Sequence, residues 1–142
     1  MRNWELNLEA YQKYTKQKFN IYQLNEIRYG LGGGIEPPVD VNVYADPKYS
    51  ADQMFQIRLG LMNKVNVNIY ADPKYDDHQM AAIRNGLEKK LDVSKYADPK
   101  YNGEQMRQIR KGLEARIDIT KYADPKLNQW QMEKIRCSLM QN

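Results

Sequence analysis

Apolar residues recur along this chain in a pattern that repeats every 26 positions. The run VDVNVYADPKYSADQMFQIRLGLMNK at 39–64 is followed, without insertion or deletion, by VNVNIYADPKYDDHQMAAIRNGLEKK, LDVSKYADPKYNGEQMRQIRKGLEAR and IDITKYADPKLNQWQMEKIRCSLMQN. In each copy Met54, Ile57 and Leu61, or their counterparts, fall at i, i+3 and i+7, the spacing of one buried helical stripe. Ser50, Asp76, Asn102 and Asn128 stand where that helix would start, and Gln53, Gln79, Gln105 and Gln131 follow three residues later, which completes a capping box. Tyr49, Tyr75, Tyr101 and Leu127 before the caps pair with Met54, Met80, Met106 and Met132 as hydrophobic staples. The pattern predicts a helix of about three turns beginning near residue 51 and its equivalents.

A second helix start falls at Asp40, Asn66, Asp92 and Asp118, with Val39 and Tyr44 placed as another staple. The prolines at 47, 73, 99 and 125 disfavour helical geometry in the residue before them, so this helix should be short, about one and a half turns. Gly60, Gly86 and Gly112 lie near the end of the longer helix. Ser138 takes that place in the last copy and would not readily replace a left-handed cap, so the glycines are read as sites of close helix packing.

Upstream, NIYQLNEIRYGL at 20–31 matches the longer helix, with Asn20 as cap, Gln23 at the box position, and Leu24, Ile27, Arg28, Gly30 and Leu31 in register. This leading unit has Tyr14, Thr15, Lys16 and Gln17 where the others have YADP, and the stretch GGGIEPP adds four residues before the next unit. Self-similarity at this length signals a stacked array in which each unit meets mainly its neighbours. The expected fold is therefore all-α, a short α-solenoid of helix-turn-helix repeats forming one domain. Its units are 39–64, 65–90, 91–116 and 117–142, led by a degenerate capping unit and Gly/Pro hinge at 1–38. A lone unit buries too little apolar surface to offset the ordering of its backbone, so the array should fold cooperatively.

Composition narrows the picture. No apolar run approaches a membrane span, and the start MRNWELNLEAYQKY carries charges where a signal peptide has its apolar stretch, which points to an intracellular, cytoplasmic protein without a membrane partner. The single cysteine, Cys137, allows no internal disulfide, and with one histidine, His78, a Cys/His zinc site lacks ligands. No metal or cofactor is expected. Twenty-two basic residues interleave with 18 acidic ones, a net charge of +4 that speaks only weakly for nucleic acid.

Several recurring residues admit two accounts. Arg28, Arg58, Arg84, Arg110 and Arg136 follow the buried isoleucine in every unit. They suit either phosphate binding or, the favoured account, an Arg–Asp ladder with Asp46, Asp72, Asp98 and Asp124. Lys18, Lys48, Lys74, Lys100 and Lys126 also recur, either as a row of phosphate contacts or as a solvated edge. Function is sought where the copies differ. The stripe opposite the core offers Tyr22 and Tyr29 in the leading unit and Phe55, Leu59 and Met62 in the next, but His78, Ala81, Ala82, Asn85, Glu104, Arg107, Gln108 and Lys111 afterwards. Val43 and Ile69 likewise give way to Lys95 and Lys121. Such an apolar patch marks a partner surface, unless residues 1–13, with Trp4, Leu6 and Leu8, fold over it. In the last unit Trp130, Cys137 and Met140 form either a second contact or dimer surface or an ordinary terminal cap. His78, at the start of a helix, reads as a surface residue.

Nearly every charged residue recurs in a structural place, and no phosphate-binding loop, dinucleotide turn or nucleophile elbow appears, so no enzyme activity is expected. The units YADPKYSADQMFQIRLGL, YADPKYDDHQMAAIRNGL and YADPKYNGEQMRQIRKGL resemble a short helical repeat that recurs in phage and mobile-element proteins of Gram-positive bacteria, often beside anti-restriction modules. The resemblance covers 39–142 well and 14–31 loosely. It implies a small phage-type, anti-defence protein that blocks a host component, such as a CRISPR effector, by occupying its surface. The basic charge departs from acidic mimics of DNA. The expectation is a noncatalytic protein-binding inhibitor or adaptor with contacts at Tyr22, Tyr29, Phe55, Leu59, Met62 and Trp130, able to dimerise through Phe55/Leu59 or Trp130/Met140. The alternative is a nucleic-acid-binding array using Lys48, Lys74, Lys100 and Lys126.

Overall fold

The computed structural model describes residues 4–141, so the ends of the expected units at 1–3 and 142 lie outside the described residues. The protein is an all-α helical repeat. Its described residues form six α-helices and no strands: α1 (Leu8–Thr15), α2 (Ile21–Arg28), α3 (Ala51–Met62), α4 (Asp77–Glu88), α5 (Gly103–Glu114) and α6 (Gln129–Met140). The chain divides into two compact units, one ending at Pro73 and one beginning at Lys74. Among the described residues no helix is long and apolar enough to cross a membrane.

The helix starts follow the sequence pattern. Asn20, Ser50, Asp76, Asn102 and Asn128 each accept a bond from the backbone of the box glutamine, whose side chain accepts one from the cap in return. The same glutamine also ties one repeat to the next. Its Nε donates to a main-chain oxygen, from Gln23 to Tyr49 at 2.7 Å, from Gln79 to Tyr101 at 2.6 Å and from Gln105 to Leu127 at 2.7 Å.

The expected second helix is shorter than its pattern suggests. Val41–Val43, Val67–Ile69, Val93–Lys95 and Ile119–Lys121 are single 3-10 turns, capped by Asp40, Asn66, Asp92 and Asp118. The tyrosine after each turn leaves helical geometry, with φ near −129° at Tyr44, and enters the core. There its hydroxyl donates to a helix carbonyl upstream: Tyr44 to Glu26 and Tyr70 to Gln56 at 2.6 Å, Tyr96 to Ala82 and Tyr122 to Gln108 at 2.7 Å. A continued helix would carry the ring away from that carbonyl.

These tyrosines explain the glycines. A Cβ on Gly86 would stand 2.1 Å from the Tyr96 hydroxyl, and one on Gly112 2.0 Å from that of Tyr122. Close approach is thus their role, but to a tyrosine of the following turn and not to a neighbouring helix. The left-handed residue that follows α3, α4 and α5 is Lys64, Lys90 and Arg116 in turn, at φ 59°, 59° and 57°. Around it Lys64 N–H donates to Leu61 and Val65 N–H to Gly60, a Schellman ending built without glycine. Ser138, at the fourth glycine place, is exposed.

In the first unit α2 runs into one π turn, Tyr29–Gly33, in which Gly32 has φ +100° and a Cβ would meet the Glu5 carbonyl at 2.5 Å. Asn7 N–H donates to Leu31 and Val39 N–H to Gly30, so the glycine stretch is gripped from both sides. In the second unit α4 packs on α5 and α5 on α6.

Candidate functional site

In the first unit α2 and α3 leave between them a groove of about 580 Å³, walled by Tyr22, Glu26 and Tyr29 on one side and Asp52 and Phe55 on the other. Tyr22 is 68% exposed and Phe55 38%, while Tyr29, Leu59 and Met62 are half-buried. The caps and staples dictate this arrangement: with Gln23 and Ile27 turned into the core, Tyr22 falls on the outer face of α2. The equivalent groove in the second unit, between α4 and α5, is about 170 Å³ and has His78, Ala81 and Asn85 facing Glu104 and Arg107. The groove between α4 and α5 lacks the Tyr and Phe lining of the α2–α3 groove.

Arg58 holds that lining together. Its side chain is 6% exposed, its Nε donates to Glu26 at 2.8 Å and its Nη1 to Glu36 at 3.1 Å. Its guanidinium carbon lies 5.4 Å from the centre of the Tyr29 ring and 5.5 Å from that of Phe55, within cation–π range of both. Burial alone would lower the Arg58 pKa, but the hydrogen bond and charge of Glu26, joined by Glu36, hold it above its ordinary value. Glu36 comes from the extra residues of GGGIEPP, beside Ile35, which is 87% exposed. Glu36 stands 22 residues from Arg58, so no local pattern in the sequence marks their pairing.

The Arg–Asp ladder expected from the repeats is therefore not what the arginines form. Arg58 meets Glu26 and Glu36, Arg84 meets Glu88 at 2.7 Å, Arg110 meets Glu114 at 3.0 Å, and Arg28 donates to the Gly33 carbonyl at 2.9 Å. Asp46, Asp98 and Asp124 instead accept the backbone N–H of Lys48, Lys100 and Lys126, each at 2.9 Å. An aspartate just before proline is well placed to bond two residues ahead, and its side chain is spent on the turn.

One arginine bond is missing. Arg110 Nε is buried without a hydrogen-bond partner among the described residues, because Ala82 occupies the place that Glu26 fills beside Arg58 and Gln108 beside Arg136. Ala82→Gln should supply the acceptor and raise the unfolding free energy by about 1 kcal/mol. Urea unfolding tests this, and a fall in stability would show that the buried nitrogen is not the limiting defect.

The remaining candidates are scattered. Residues 4–15 pack beside the glycine stretch, with the Tyr14 hydroxyl donating to Asn42 at 3.1 Å, and leave Tyr22 and Phe55 exposed. Lys48, Lys74 and Lys100 lie over the rings of Tyr49, Tyr75 and Tyr101 at 5.2, 5.2 and 5.3 Å, and Lys126, before Leu127, is exposed. Trp130 and Met140 are 69% and 51% exposed on α6.

Compared with known proteins, the chain matches no family, no curated protein and no solved structure. Its surface must be read from its own chemistry. The charge is unevenly shared: up to Pro73 there are eight basic and eight acidic residues, and from Lys74 onward fourteen and ten. The excess of four positive charges thus belongs wholly to the second unit, and the aromatic groove lies in the neutral one.

Proposed function

We propose that this chain is a noncatalytic protein-binding repeat, an inhibitor or adaptor that acts by occupying a partner's surface through the α2–α3 groove. The partner we propose is a host defence protein, such as a CRISPR effector, in the cytoplasm of a bacterial cell. The reading is carried by one observation. Tyr22 and Phe55 stand exposed on a groove of about 580 Å³ in a unit without net charge, whereas the repeats place small and polar side chains at the same positions in α4 and α5. Exposed aromatic side chains beside a rigid, ion-paired arginine have the make-up of an interface core. The choice of a defence protein rests on the resemblance of the repeats alone.

Changing Tyr22→Lys and Phe55→Lys together should abolish capture of the partner from nuclease-treated bacterial lysate while helicity stays within about a tenth of the parent by circular dichroism. Capture that survives the double change, or that disappears on nuclease treatment of the parent, would sink the reading. Sedimentation of the purified parent and double variant separates self-association through the same groove from binding to a foreign protein.

A further inference from the structure

Arg136 on α6 is a buried guanidinium without a carboxylate. It is 9% exposed, its Nε donates to Gln108 Oε1 at 3.1 Å, and its Nη1 lies 3.5 Å from the Met140 sulfur. Among the described residues no Asp or Glu oxygen comes within 4.0 Å of it, whereas Arg58, Arg84 and Arg110 each meet a glutamate. Arg58 provides the comparison within the same chain. Its Nε is held from the preceding helix, as that of Arg136 is, and its Nη1 likewise lies 3.5 Å from a methionine sulfur, that of Met62, yet Nη1 also carries Glu36. The methionine therefore leaves room for a carboxylate. In α4 and α5 the place of Met140 is taken by Glu88 and Glu114, which pair with the arginine four residues before them. Met140 is 51% exposed, so a flexible, half-exposed thioether lies against Arg136 Nη1.

We infer that the outer face of α6 docks an acidic segment of a partner protein, whose carboxylate completes Arg136 as Glu36 completes Arg58. A buried charge left without a counter-charge is costly, so a carboxylate arriving from outside gains more here than at an exposed lysine. The setting agrees, because the second unit carries all of the net positive charge and the exposed charges on the same helix, Glu133 and Lys134, oppose one another. Trp130 and Met140 supply exposed apolar surface on α6 beside the charged contact. The site shares no residue with the α2–α3 groove and does not depend on it.

The test uses the full chain and a short, end-blocked peptide of alternating glutamate and leucine, followed by the Nε–H resonances of the arginines, with Arg136 assigned by its loss in Arg136→Lys. The peptide should shift the Arg136 resonance saturably and leave those of Arg84 and Arg110 in place. Met140→Glu, which installs the glutamate that α4 and α5 already carry, should keep the helicity and weaken the peptide at least tenfold. Tyr22→Lys with Phe55→Lys should leave its affinity unchanged, so failure here and failure of the groove are read separately. An unmoved Arg136 resonance at saturating peptide, or an affinity indifferent to Met140→Glu, would overturn the proposal. So would a single-stranded oligothymidylate that shifts Arg136 where the peptide does not, since it would assign the site to phosphate.

Discussion

Gly86→Ala is expected to destabilise the protein by about 3 kcal/mol, the reverse of what a helix-interior glycine ordinarily gives. Helix propensity alone would favour alanine by about 1 kcal/mol. Here the added Cβ would lie 2.1 Å from the Tyr96 hydroxyl and 2.7 Å from a Val93 methyl. That hydroxyl donates to Ala82 O at 2.7 Å, so it must give up a buried bond or push the turn away. Overpacking costs about 1–3 kcal/mol and a buried hydroxyl left unpaired costs a further 1–3 or so, and together these outweigh the gain in propensity. Tyr96→Phe removes the atom that clashes. In the double variant the two losses should therefore add to less than their sum, by at least about 1 kcal/mol, in urea unfolding. A Gly86→Ala protein more stable than the parent, or strictly additive losses, would show that the glycine is there for another reason.

Unfolding by alkali should begin close to pH 10. Burial pushes the hydroxyl of Tyr122 up to about 12, with the charge of Arg136 opposing the shift. Tyr44 and Tyr96 are raised further from the ordinary value of 10.0, again by burial first, and against the lowering influence of Arg58 and Arg110 respectively. A raised folded-state value means that the unfolded chain loses its protons first. The stability that these hydroxyls contribute is fully present below pH 10 and drains away above it. Between pH 10 and 12, Tyr44 and Tyr96 should each remove about 1.4 kcal/mol per pH unit. Tyr49 and Tyr101 add to the same trend: both are raised by burial, then by the neighbouring carboxylates Asp72 and Asp46 or Asp124 and Asp98. Tyrosinate absorbance near 295 nm and helicity should accordingly change together. Core tyrosines that ionise near pH 10 with the helices intact would contradict their burial.

The protein illustrates how repeats separate structural residues from functional ones. In YADPKY and QMxxIR the tyrosines, the aspartate, the glutamine and the methionine recur because they form turns, staples, caps and buried hydroxyl contacts, whereas the arginine takes a different partner from copy to copy. The aromatic groove exists because Tyr22, Tyr29 and Phe55 occupy positions that the later copies fill with His78, Asn85 and Ala81. The unpaired Arg136 exists because Met140 stands where Glu88 and Glu114 stand in earlier copies. Comparison of the copies pointed to the aromatic stripe and to Met140, but it read Arg136 as one more member of an Arg–Asp ladder.

The long helices were legible because everything that sets them lies within one turn or two. The bonds between Ser50 and Gln53 span three residues, and the stripe Met54, Ile57 and Leu61 is a property of the helical period. The all-α repeat class follows from the same local rules. The second helix was overestimated because its cap was visible while the demand that ended it was not: Tyr44 must reach the Glu26 carbonyl, 18 residues away. Arginine pairing failed as a sequence inference for the same reason. Arg58 and Glu26 are 32 residues apart, and which acid meets which base depends on the register of elements that carry no local mark of it. Hydrogen bonds within a few residues are written in the order of the side chains; those between repeats are decided by how the repeats stack, and only the folded protein holds that information.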